Sequence, residues 1–207
     1  SLFEITGDGA RLTGGRVEAT VFTAAQNVVN VNAADEVTVE QMIFDDQVTP
    51  SAVPSTYATT MRAFRVRGGS NTKFKDIIVL PARGLAVFNG KDAFSTKFEN
   101  CTIGRKWTES RECWQGWDSD DCTHFILRNC EAFGLGDDTH LLQFLARAYN
   151  TSGSVHHFRV EGGYYETVKV ARAFQAEGGR HAEFVGVSVA ASTRRASACS
   201  APSAGPA

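Results

Sequence analysis

The sequence predicts an all-β fold, a parallel β-helix (solenoid) of about seven rungs. Three observations predict it. One short phrase recurs as Leu12-Thr13-Gly14-Gly15, Val39-Glu40-Gln41-Met42, Phe74-Lys75-Asp76-Ile77, Phe98-Glu99-Asn100-Cys101, Leu127-Arg128-Asn129-Cys130, Val160-Glu161-Gly162-Gly163 and Phe184-Val185-Gly186-Val187. Its first residues are separated by 27, 35, 24, 29, 33 and 24 positions, as one supersecondary unit with loop insertions would be. The flanking columns alternate with period two. Positions three and five after the anchor hold Met42, Ile77, Cys101 and Cys130, then Val17, Phe44, Val79 and Ile103, which is strand patterning. Two after the anchor stand Gly14, Gln41, Asp76, Asn100, Asn129, Gly162 and Gly186, the residue types of a bend.

A second strand is expected before each anchor strand, at Val28–Asn32, Phe64–Arg67, Leu85–Phe88, Trp114–Trp117, Thr139–Phe144 and Val168–Phe174. A unit of this size cannot bury its apolar face alone, whereas stacked units can. At about 4.8 Å per rung the body is on the order of 30 Å long.

In chain order, residues 1–20 make the first unit. Residues 45–61, with Pro50 and Pro54, form the longest insertion, and residues 104–117 and 145–155 form two further loops. Residues 1–190 form the β-helix domain, and residues 191–207, rich in Ala, Ser, Pro and Gly, read as a disordered tail. The N-terminus is not a signal peptide, and a first residue other than Met reads as a processed chain or a piece of a longer one.

The 207 residues carry 21 basic and 23 acidic side chains, a net charge of −2, so no nucleic-acid partner is expected. No apolar run approaches the roughly 18 residues of a membrane span, so no membrane partner is expected either. The five cysteines include no C-x-x-C pair, so no zinc site is indicated. Cys101 and Cys130 share one inward column and read as small buried hydrophobes, while Cys113 and Cys122 flank an acidic stretch they are able to bridge.

That stretch carries the chemistry. It opens with an acidic turn, Asp118-Ser119-Asp120-Asp121, and closes with Gly136-Asp137-Asp138 one unit later. Glycoside hydrolysis needs two carboxylates about 5–9.5 Å apart, and a calcium-dependent lyase needs several on one patch. Asp118, Asp137 and Asp138 are the candidates, either as acid/base groups or as metal ligands, with His140 beside Asp138. The bland alternative is that turn aspartates cap backbone groups. Trp107, Trp114 and Trp117 fall within eleven positions together with Arg111; with Arg147 they suit sugar rings and carboxylates, or else pack the loop onto the body. Arg128, Arg147, Lys169 and Arg172 are candidate bases for a lyase, and His124 and His156-His157 read as turn residues.

Phe98-Glu99-Asn100-Cys101-Thr102-Ile103, Phe125-Ile126-Leu127-Arg128-Asn129-Cys130 and Gly136-Asp137-Asp138 resemble the right-handed parallel β-helix (pectin lyase-like) superfamily of pectate lyases, polygalacturonases and phage tailspikes, over about residues 8–190. The Gly-Asp-Asp phrase resembles one of the polygalacturonase-type glycoside hydrolases; the His-Gly and Arg-x-Lys phrases that should follow it are absent. The resemblance implies a right-handed solenoid. It also implies a polysaccharide or glycan partner, cleaved in a groove beside rungs 114–144, with no cofactor for a hydrolase and calcium for a lyase. The setting it implies is secreted, extracellular or on a virion surface. The alternative is a non-catalytic glycan-binding or structural module, tailspike-like or adhesin-like, built as a homotrimer.

Overall fold

The computed structural model describes residues 1–19, 27–46, 62–80, 86–104, 116–135, 146–149, 157–168, 175–176 and 181–192. All regular structure among them is β. The first strands are β1 (Phe3–Ile5), β2 (Arg11–Ala19), β3 (Asn27–Asn32), β4 (Thr38–Asp46), β5 (Arg62–Arg67) and β6 (Ser70–Lys75). Then come β7 (Ile78–Leu80), β8 (Ala86–Lys91), β9 (Phe94–Glu99), β10 (Thr102–Ile103), β11 (Trp117–Asp120), β12 (Thr123–Arg128) and β13 (Glu131–Leu135). The last are β14 (Ala146–Tyr149), β15 (Phe158–Glu161), β16 (Tyr164–Val168), β17 (Gln175–Ala176), β18 (Ala182–Val185) and β19 (Ser188–Ser192), which ends two residues past the expected domain boundary.

The strands form a seven-stranded sheet, β1-β3-β5-β8-β11-β14-β17, and a twelve-stranded sheet in which eleven run β18-β15-β12-β9-β6-β4-β7-β10-β13-β16-β19 and the twelfth, β2, pairs with β4. Every pairing given for these strands is parallel. The larger sheet curls because β4 serves two neighbours. Its first half pairs with β6 (Val39↔Phe74) and its second with β7 (Phe44↔Val79), with Gln41 at φ 56° between them.

This corrects the expected architecture. The sequence predicts a solenoid of about seven separate rungs. The structure instead has two parallel sheets, the larger curled into a half-barrel, and the fold is barrel-like. The repeat does not reveal that the two strand runs flanking each bend belong to one sheet, because that depends on the unbroken nine residues of β4.

Within the larger sheet the anchor column pairs residue for residue: Leu12↔Val39, Val39↔Phe74, Phe74↔Phe98, Phe98↔Leu127, Leu127↔Val160 and Val160↔Phe184. The bend column lies in the left-handed region throughout, from Gly14 (φ 74°) and Asp76 (53°) to Asn129 (50°) and Gly186 (63°). Asn and Asp are the non-glycine residues that most readily tolerate that conformation, and here the bends also bond to one another across the sheet, Asn100 Nδ2 donating to Asp76 Oδ1 at 3.0 Å.

The two sheets face each other across one apolar core. Phe64, Phe88 and Trp117 stack on consecutive strands of the smaller sheet, at 5.1 and 5.5 Å between centroids. Phe74 and Phe98 stack on the larger sheet at 5.0 Å, and Phe88 meets Phe98 edge-on at 5.1 Å. Cys101 and Cys130 are fully buried free thiols on neighbouring positions of the larger sheet. The outer face of that sheet carries a continuous ion-pair chain: Lys73–Glu99 (2.6 Å), Glu99–Arg128 (3.5 Å), Arg128–Glu161 (2.5 Å), Glu161–Arg159 (2.5 Å) and Arg159–Glu183.

Candidate functional site

The smaller sheet brings the chemistry together. Parallel strands place residues of equal register about 4.8 Å apart, so one position on each strand makes a row across the sheet. The row Glu4–Asn30–Arg65–Asn89–Asp118–Arg147–Gln175 is polar at every step. Two residues further along the strands, Asn32–Arg67–Lys91–Asp120–Tyr149 make a second such row. The alternate positions on these strands, among them Phe64, Phe88, Trp117 and Ser119, are buried. A polar row beside a buried aromatic row is what period-two strands make when one face meets the core.

Asp118 and Arg147, both singled out from the sequence, are direct register partners in β11 and β14. On its other side Asp118 is level with Asn89, which is only 4% exposed. Asp120 stands between Lys91 and Tyr149. Asn30 Oδ1, further along the first row, is buried and accepts no hydrogen bond among the described residues.

Other predicted site residues fall elsewhere. Trp117 is fully buried between Phe88 and, edge-on at 6.2 Å, Tyr165, so it offers no ring face to a ligand. Its expected role in substrate binding is corrected to a core role. The expected acidic turn at 118–120 is corrected to strand β11. Arg128 lies in the ion-pair chain on the larger sheet, where hydrogen bonds from its guanidinium to Glu161 raise its pKa. Trp107, Arg111, Trp114, Asp137, Asp138 and His140 lie outside the described residues, as do Cys113, Lys169 and Arg172. Among the described residues no cluster of three or more His, Cys, Asp or Glu is placed to hold a metal ion, and of the three proposed metal ligands only Asp118 is among them. No helix among them is long and apolar enough to cross a membrane.

Sequence reasoning missed Asn89, Lys91 and Tyr149. The signal was present in Phe88-Asn89-Gly90-Lys91 and Trp117-Asp118-Ser119-Asp120, each an aromatic followed by alternating polar and small residues. Both expected strands stop at the aromatic, because Asn, Gly and Asp are depleted in strands; tertiary pairing overrides that preference here.

No family model matches the chain, and no curated protein matches it. Among solved structures it is similar to one described as a "putative glycosyl hydrolase" from Parabacteroides merdae, with a TM-score of 0.45 and 9% identity over 90% of this chain and 76% of that one.

Proposed function

We propose that this chain is a carbohydrate-active protein that binds and cleaves a polysaccharide across β8, β11 and β14. The observation that carries the reading is the register setting Asp118 level with Asn89 and Arg147, and Asp120 level with Lys91 and Tyr149. Two residues along a strand are about 6.6 Å apart. That is a separation of α-carbons; inverting hydrolases hold their two carboxyl groups roughly 6.5–9.5 Å apart, leaving room for a water, a spacing that two aspartates at alternate strand positions are able to reach. The acid comes from Asp120 or from Asp137-Asp138, whose Gly-Asp-Asp phrase resembles the polygalacturonase one. A row spacing near 4.8 Å also suits a chain of sugar rings lying across the strands. An extracellular or virion-surface setting belongs to this reading, and calcium enters only in its lyase form, with Asp118, Asp137 and Asp138 as ligands.

The test is a panel of acidic and neutral polysaccharides, with and without calcium, followed for new reducing ends and for unsaturated-product absorbance. Reducing ends without absorbance, falling about 10²–10⁴-fold in Asp118→Asn, are expected. Calcium-dependent absorbance replaces the hydrolase by a lyase. Full activity in Asp118→Asn overturns the site. Glycan binding without product, from folded protein, transfers the reading to the non-catalytic module.

A further inference from the structure

Outside the polar rows, three imidazoles form a ladder at one margin of the larger sheet. His124 in β12, His157 directly before β15 and His181 directly before β18 sit at equal register. Their rings stack with centroids 4.5 Å and 4.9 Å apart and planes within 24° and 14° of parallel. Phe94 closes the near end, edge-on to His124 at 5.2 Å. The backbone fixes the stack, since Phe125 N donates to His157 O at 2.8 Å and Phe158 N to His181 O at 3.2 Å. At its far end is β18, an edge strand in which all four residues are exposed.

We propose that this ladder is a proton-sensitive clasp: its neutral imidazoles hold β18 against β15, and protonation releases that edge. Stacked neutral rings attract, whereas two imidazolium ions at this separation repel with little protein between them to absorb the charge. The charged groups on the elements around the ladder are of both signs. Lys97 on β9, Arg128 on β12 and Arg159 on β15 add positive charge, and the carboxylates of Glu161 and Glu183 already accept from Arg128 and Arg159. Asp92 and Asp121 lie in the turns before β9 and β12. Even so, burial first, and then the charge of His157, hold His124 below the ordinary histidine range. His124 Nδ1 is buried with no hydrogen-bond partner among the described residues, so nothing there stabilises a second ring proton. At His124, whose folded pKa is depressed, the linked stability is present above the unfolded value, about 6.5, and lost as pH falls below it. The edge strand goes first because it has the least burial.

Hydrogen exchange of the full chain, read on residues 182–185 at pH 7.5 and 5.5 and corrected for intrinsic exchange, tests this. Protection is expected to fall about tenfold, the equivalent of one pKa unit, while β9 and β12 keep theirs. His157→Gln and, at the exposed end, His181→Gln should each flatten that dependence. Imidazole NMR on the wild type gives an independent reading, with His124 expected to titrate below the usual range. Unchanged protection between the two pH values, equal loss in both variants, or an ordinary titration of His124 near pH 6.5 overturns the proposal.

Discussion

The indole of Trp117 stacks on the ring of Phe88, 5.5 Å between centroids and 9° from parallel, and this contact sets β11 beside β8. The residues that follow each ring, Asp118 and Asn89, are thereby level. Trp117→Ala is expected to cost about 3–5 kcal/mol, read as a lower urea midpoint, and to abolish any activity that depends on Asp118. Trp117→Phe should recover most of the stability. An unchanged midpoint in the alanine variant would sink the core assignment.

Backbone conformation gives a second prediction. Gly163 has φ 90°, and a Cβ there would stand 2.1 Å from the Cys130 carbonyl oxygen, so Gly163→Ala must displace β13 from β16 or unfold them. A loss of about 3 kcal/mol is expected from left-handed strain and overpacking together. Asn100, at φ 53°, should tolerate Gly but lose about 1–2 kcal/mol as Ala. Thermal melts of the three variants check the ranking.

The ion-pair chain predicts an acid limb. Hydrogen bonds from Arg128, then from Arg159, hold the Glu161 carboxyl below its usual range. Stability from this group is complete above its unfolded pKa, near 4.5, and is lost as pH falls through the lower folded value. Glu161→Gln should flatten the melting temperature across that acid range, and 1 M salt should shrink the difference between variant and wild type. A pH profile identical in both proteins would refute it.

The thiols of Cys101 and Cys130 are buried, and burial pushes Cys101 well up in pKa. A thiol-specific alkylating agent at pH 8 should leave both unlabelled in the native protein and label both in denaturant, mapped by peptide mass spectrometry. Native labelling at either position would contradict the packing.

What could be read from the sequence follows from which constraints are local. The Gly, Asp and Asn column betrays itself because left-handed φ admits few residue types, and it fixed the register from Leu12 to Phe184. Cys101 and Cys130 were placed in the core by period alone. The sheet arrangement was not legible, since β4's two partners lie 35 residues downstream in each half and nothing local marks them. Nor was the strand at Asp118-Ser119-Asp120, whose composition reads as a turn until Phe88 and Trp117 align it. Of the site, Asp118 and Arg147 were legible as residue types, but their being neighbours depends on pairing across 29 positions.

None of these strands hydrogen-bonds to the strand next to it in the chain; β1 meets β3, β9 meets β12, and β16 meets β19. Among the described residues folding therefore has no hairpin to nucleate on. Every pairing waits for the closure of a loop of 24 to 35 residues, from Arg62↔Ala86 to Val29↔Phe64. Closure entropy rises only slowly with loop length, so these steps differ by a few tenths of a kcal/mol and no strand pair has a decisive head start. With contacts this distant, the chain belongs among slow folders, on about the millisecond-to-second scale. While it waits, each finished strand presents an open parallel edge that fits the next segment of its own chain and the same segment of another.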